Sequence, residues 1–213
     1  MMDLRSVVVG RVLQASTARL MVGCQPPIAA QNQAIPAFGS LVKAAGPGEA
    51  VTYGLVHNVA VEDDLFVRQL VAAGMDDEEY IADQRQRRQV PVVVEVLLVG
   101  FGLPLQNAGA VTAELRYYLP PQPPTTLDKV YACNSAEIVR FTARHDWLRT
   151  ALGAAVPDIA SDALIAAALR AAAQARPSPP GNAEAYLVAA GRELARLLAQ
   201  DPIRLDGILQ QLR

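Results

Sequence analysis

The chain has 213 residues, 52% of them hydrophobic and 19% charged, with a formal net charge of -2. A chain of this length forms one large domain or two small ones and buries roughly 70% of its unfolded surface, enough for a core without metals or disulfides. The apolar content excludes global disorder, and the near-balanced charge excludes a general attraction to phosphate backbones.

Residues 1–125 hold nine basic and twelve acidic side chains, and the rest of the chain ten and nine, so neither part reads as a nucleic-acid surface. Lysine occurs only at Lys43 and Lys129. The arginine excess suits bidentate anion contacts, although a compositional bias of the source genome accounts for it more simply. Cys24 and Cys133 form neither a CxxC pair nor a dense framework, which points to reduced thiols and a cytoplasmic setting. Asp3, Arg5 and Arg11 spoil a signal peptide. The most hydrophobic tract, residues 90–105, is too short for a membrane span and contains Glu95 and Pro104, so no membrane insertion is expected.

In chain order, residues 6–13 and 19–24 read as strands, the second stopped by Pro26 and Pro27. Residues 40–45 form a third, and Gly46-Pro47-Gly48 turns the chain into a long fourth at 49–61, bent at Gly54. Short strands broken by Gly and Pro indicate a barrel or sandwich, and closure into a barrel removes exposed edges. Residues 63–89 interrupt this pattern with helical signals, among them Asp76 with Glu79 at a capping offset and arginines late in the segment. Strand character returns at 90–100 and 111–118. In the first of these both faces are apolar, so it requires cover on both sides, from a partner or from the C-terminal helices.

Pro120, Pro121, Pro123 and Pro124 form a stiff connector, taken as the domain boundary. Beyond it Asn134 with Glu137 marks a helix start, residues 158–175 and 182–200 are amphipathic, and Asp201-Pro202 opens a last helix. The expected fold is α+β and multi-domain: a small β-barrel over residues 1–125 with a helical insertion near 63–89, then a C-terminal helical bundle over 126–213.

Few residues offer chemistry. The segment from Gly46 to Thr52 lacks the lysine and the Gly-Lys-Ser/Thr ending of a phosphate-binding loop, and no cofactor is expected. An enzyme of unknown class is an alternative if Cys24 or Cys133 meets His57 or His145 as nucleophile and base. No close ligand pair anchors a metal, and the acids 76–79 lack the register of a calcium loop. Arg85, Arg87 and Arg88 form a compact basic patch without interleaved aromatics, so direct nucleic-acid binding is not the favoured reading, although a nucleic-acid accessory role remains a further alternative. Tyr117 and Tyr118 are an aromatic docking candidate, with packing between barrel and linker the simpler account. Taken together, no residue is assigned a catalytic role, and an enzyme is the less favoured class.

Val9-Gly10-Arg11-Val12, Phe38-Gly39-Ser40-Leu41-Val42, Thr52-Tyr53-Gly54-Leu55-Val56 and the stretch from Pro124 to Cys133 resemble the HAS barrel, the module shared by HerA-type translocases and the N-terminal parts of F1-type ATP synthase subunits. The likeness spans roughly residues 5 to 133. It implies that Gly10, Gly39 and Gly54 serve barrel geometry, and that the chain acts as a non-enzymatic assembly or adaptor protein. The implied partner is another protein or a second copy, with a separately encoded HerA-like ATPase as one candidate. The residues after 133 are too few for the family's motor and carry no ATP-binding loop, so the ATPase activity is not implied.

Overall fold

The computed structural model describes residues 7–24, 35–61, 68–69, 72–74, 76–80, 92–103, 114–154, 161–177 and 181–212. Its strands are β1 (Val8–Ala15), β2 (Arg19–Cys24), β3 (Leu41–Ala45), β4 (Val51–Val61), β5 (Val92–Leu103), β6 (Glu114–Arg116) and β7 (Lys129–Ala132). The helices are α1 (Ser135–Phe141), α2 (Trp147–Gly153), α3 (Ser161–Gln174), α4 (Gly181–Leu197) and α5 (Pro202–Gln210). The fold is α+β: a closed barrel followed by helices. Among the described residues, no helix is long and apolar enough to cross a membrane.

Six strands close the barrel in the order β1-β2-β5-β4-β3-β7, with every neighbouring pair antiparallel and β7 returning to β1. Closure satisfies the backbone groups that an open sheet of such apolar strands would expose. The seventh strand, β6, adds three rungs to the free side of β5 near its end.

Strand alternation sorts the side chains into two cores. Val92, Val94, Val96 and Leu98 of β5 point into the barrel and meet Val9, Val12, Val22, Val42, Val56 and Val130. The opposite face of β5 presents Leu97 and Val99, which join Leu41, Tyr53 and Leu55 beneath Phe141, Trp147, Leu148, Leu164 and Leu169 of the helices. The two-sided apolar pattern of this strand is thus met from inside by the barrel and from outside by the helical region.

The proline run at 120–124 does not end the sheet. Lys129–Ala132 pairs with both β1 and β3, so the barrel draws on residues beyond the boundary expected at 125. The strand was not anticipated, because four residues after a proline run carry no readable period and both of their partners are remote in sequence. Two further expectations shift. β4 begins at Val51 rather than residue 49, since Pro47–Glu49 forms a turn of 3-10 helix with positive φ at Gly48 and Glu49. In the 63–89 segment, where only 68–69, 72–74 and 76–80 are described, the capping carboxylate is Asp77 and not Asp76: its Oδ1 accepts the amides of Glu79 and Tyr80, both at 3.1 Å.

The helix starts follow their sequence signals. Asn134 and Glu137 form a reciprocal capping box at α1. Asp201 accepts the Arg204 amide ahead of Pro202 at α5. Arg204 also ties α5 to α3, pairing with Asp162 at 2.8 Å and donating to the Ser161 hydroxyl.

Candidate functional site

The three glycines singled out by sequence all sit at close approaches. A side chain on Gly10 would run into the Gly23 carbonyl across β1–β2, and one on Gly54 would stand 2.8 Å from the Leu97 carbonyl oxygen, beside a register shift in β4–β5. Gly39 has φ +83°, and its neighbour is the backbone of α3 at Ala167 and Ala168. Its approach is therefore to a helix, where it brings the barrel and α3 together.

The nucleophile-and-base grouping is not assembled. Cys24 lies inside the barrel, whereas Cys133 lies outside it under the helices, so the two thiols are on opposite sides of the sheet. Burial pushes the Cys24 thiol up to about 11 and pushes Cys133 up as well, with the Glu137 carboxylate adding to the effect, so both remain protonated at neutral pH. A nucleophilic cysteine requires the opposite shift. His57 is buried at the register shift between Val56 and Asn58, and both its ring nitrogens lack hydrogen-bond partners among the described residues. Burial lowers its pKa.

His145 belongs to a different cluster. Its ring stacks on Tyr186 at 5.1 Å, and the Arg176 guanidinium carbon lies 3.3 Å from the centre of the same tyrosine ring. Arg176 is fixed there by the Ala172 carbonyl at 2.5 Å and the Thr142 hydroxyl at 3.2 Å. Burial, then the Arg176 charge, lowers the His145 pKa. This stack joins α3 and α4 to the α1–α2 connection through a cation–π contact. Among the described residues, no group of three or more His, Cys, Asp or Glu is placed to hold a metal.

Among the described residues, one lysine is buried in an ion pair. Lys43 is on the outward face of β3, and its ammonium pairs with the Glu137 carboxylate of α1. The other carboxylate oxygen of Glu137 accepts the Asn134 amide at 3.0 Å. A lysine in a strand ordinarily reads as solvent-facing. The signal that reveals it here is its position between apolar neighbours in a strand with two apolar faces.

The surface most suited to recognition lies where β6 meets the helices. A groove of about 280 Å3 is lined by Arg116, Tyr117 and Tyr118 from the barrel side, and by Arg144, Arg149 and Arg196 from the helical side. Asp146 and Glu193 are also in its wall, and Glu114 pairs with Arg116 at 2.9 Å, giving four guanidinium groups against three carboxylates. Arg144 pairs with Asp146 at 2.8 Å and Arg196 with Glu193 at 2.5 Å. The hydrogen bond from Arg196 is the main cause of the lowered Glu193 pKa. Arg149 is exposed.

The two tyrosines differ. Tyr117 packs inward, donating its hydroxyl to the Phe141 carbonyl at 3.0 Å, with Arg144 over its ring. Tyr118 is 57% exposed and is braced edge-on by Phe101 at 5.3 Å. Sequence reasoning selected the tyrosines but not the four arginines, which are scattered over some eighty positions and gather only through folding. Arg85, Arg87 and Arg88 lie outside the described residues.

Fold and surface together define a barrel with a helical cover on one flank and an arginine-rich groove at the junction. No protein-family model and no curated protein matches the chain.

Proposed function

We propose that the protein is a non-enzymatic assembly or adaptor component of the cytoplasm, working beside a separately encoded HerA-like ATPase, and that its partner seats an acidic segment in the groove at the barrel–helix junction. The observation that carries this reading is the groove's composition: an exposed, braced tyrosine among four arginines, three of them paired with Glu114, Asp146 and Glu193 and the fourth, Arg149, exposed. Tyrosine and arginine dominate binding hot spots, and a rigid aromatic loses little entropy on association. The protonated, segregated thiols favour this class over an enzyme built on Cys24 or Cys133. The choice of ATPase rests on the likeness of residues 5–133 to the HAS barrel.

The test is affinity purification of the tagged chain from its source cells, with molar mass by light scattering, for wild type and for the Tyr118→Ser/Arg149→Glu double variant. An ATPase retained by the wild type and lost from the double variant is the expected outcome. A strict monomer that retains no ATPase, or an ATPase held equally by both forms, goes against the proposal.

A further inference from the structure

His57 is a buried ionisable group that the groove does not use. It is 1% exposed, and neither ring nitrogen has a hydrogen-bond partner among the described residues. A neutral imidazole carries one donor and one acceptor, so both are buried at their full desolvation cost. The residue marks a change in β4. The rungs Val56–Val96 and Asn58–Glu95 leave His57 as the extra residue of a β-bulge. The strand is buried from Thr52 to His57 and at least partly exposed from Asn58 onward.

The same bulge holds an acceptor. Glu95 is half-buried between the fully buried Val94 and Val96, and its Oε1 accepts the Asn58 side-chain amide at 3.0 Å. Among the described residues, the charged groups that act on His57 are this carboxylate, across the bulge, and Arg19 of β2, on the far side of β5. Burial is the main cause of the lowered His57 pKa; Glu95 and the residue's own carbonyl oppose that shift, and Arg19 adds to it. Protonation turns both ring nitrogens into donors and buries a unit charge, which demands a carboxylate. The carboxylate at hand is the one that Asn58 holds.

We propose that His57, Asn58 and Glu95 form an acid-sensitive latch in the barrel wall: Glu95 is held by Asn58 while the imidazole is neutral, and turns to the imidazole, releasing the Asn58 amide, once the ring takes a proton from solvent. The two pairings are alternative settings of the bulge, placed where the buried part of β4 meets its exposed end. The latch is separate from the arginine-rich groove and does not depend on the adaptor reading.

Asn58 and His57 thereby compete for one carboxylate, and that competition is measurable. NMR of the full chain follows the His57 ring and the Asn58 side-chain amide from about pH 8 to about pH 4.5. In the wild type the amide signals should move with the same midpoint as the ring. Asn58→Ala frees Glu95 and should raise the proton affinity of His57 about three- to tenfold. Glu95→Gln keeps the shape, removes the charge, and should lower that affinity about tenfold or more. His145, stacked on Tyr186 in the helical region, should keep its own midpoint in both variants. The two substitutions act on opposite sides of the competition, so either one suffices if the other fails to fold. The proposal is overturned if the Asn58 amide stays still while His57 titrates, if Asn58→Ala fails to raise the midpoint, or if Glu95→Gln fails to lower it. It is likewise overturned by a His57 that stays neutral until the wild-type chain unfolds, or by a His145 midpoint that shifts as far as that of His57, since a general change in the fold then accounts for both.

Discussion

Lys43 and Glu137 allow a test of how the barrel and the first helix are joined. The side chain of Lys43 is 5% exposed and that of Glu137 25%. The two single substitutions are therefore unequal. Glu137→Gln strands a nearly buried ammonium and weakens the capping box at Asn134, whereas Lys43→Met leaves a carboxylate with some access to water and one amide donor. Removing one partner of a buried pair costs about 3–5 kcal/mol. With Glu137 partly exposed, Glu137→Gln should fall near the lower end, about 3 kcal/mol. That is on the order of a hundredfold in the folding equilibrium. Lys43→Met should cost less, and the double variant should be more stable than Glu137→Gln alone, because a Met–Gln pair leaves no buried charge to desolvate. Urea unfolding of all four proteins gives the coupling energy. The reasoning is refuted if Glu137→Gln costs under about 1 kcal/mol, the range of a surface pair, or if the two losses simply add.

The glycines supply a pair of opposite sign. Gly39→Ala forces a side chain to φ +83° and to within 2.6 Å of the Ala167 side chain, and should lower stability by more than 2 kcal/mol on the order-of-magnitude scale for strained backbone with overpacking; Gly191→Ala, inside α4 with only an ordinary 3.7 Å contact, should raise it by about 0.5–1 kcal/mol, both read from urea midpoints. Native protein at pH 8 should react with a thiol reagent at neither cysteine until it is unfolded, because a thiol near 11 is ionised only to about one part in a thousand at that pH; fast labelling of Cys24 in the folded state would contradict its burial. Raised Cys24, Tyr53 and Tyr186 values mean that the native state binds more protons in alkali, so stability should fall as pH rises above about 9. On the acid side, the lowered values of His57 and His145 make the unfolded state the better proton acceptor, so the urea midpoint should drop as pH falls below about 6.5, before most carboxylates titrate; a flat midpoint between pH 7 and 5 would show that neither histidine is held neutral.

The legible parts of this fold are those whose information is local. The strand at Arg19–Cys24, the Asn134–Glu137 capping box and the Asp201-Pro202 helix start are written in a few adjacent residues and appear in the structure as read. β7 is different, since Lys129–Ala132 becomes a strand through two partners, β1 and β3, that both lie more than eighty positions earlier in the chain. Charge placement was hidden for a related reason. Lys43 is buried because Glu137 is waiting on a helix, and the groove arginines are neighbours only after β6, α2 and α4 have met.

The two-sided strand β5 carries a consequence for how the molecule divides. Its inward valines complete the barrel, but Leu97 and Val99 face outward and, with Leu41, Tyr53 and Leu55, form one floor of the helical core. Removing the helices would bare that apolar floor and strand the Lys43 ammonium. Removing the barrel would leave α1–α3 without the surface that Phe141 and Trp147 fill. The groove at the junction draws Arg116 and Tyr118 from one part and Arg144, Arg149 and Arg196 from the other, so neither part alone presents it. The barrel and helices therefore act as one cooperative unit. A truncation after residue 133 should expose apolar surface and lose the groove, rather than yield a free-standing barrel.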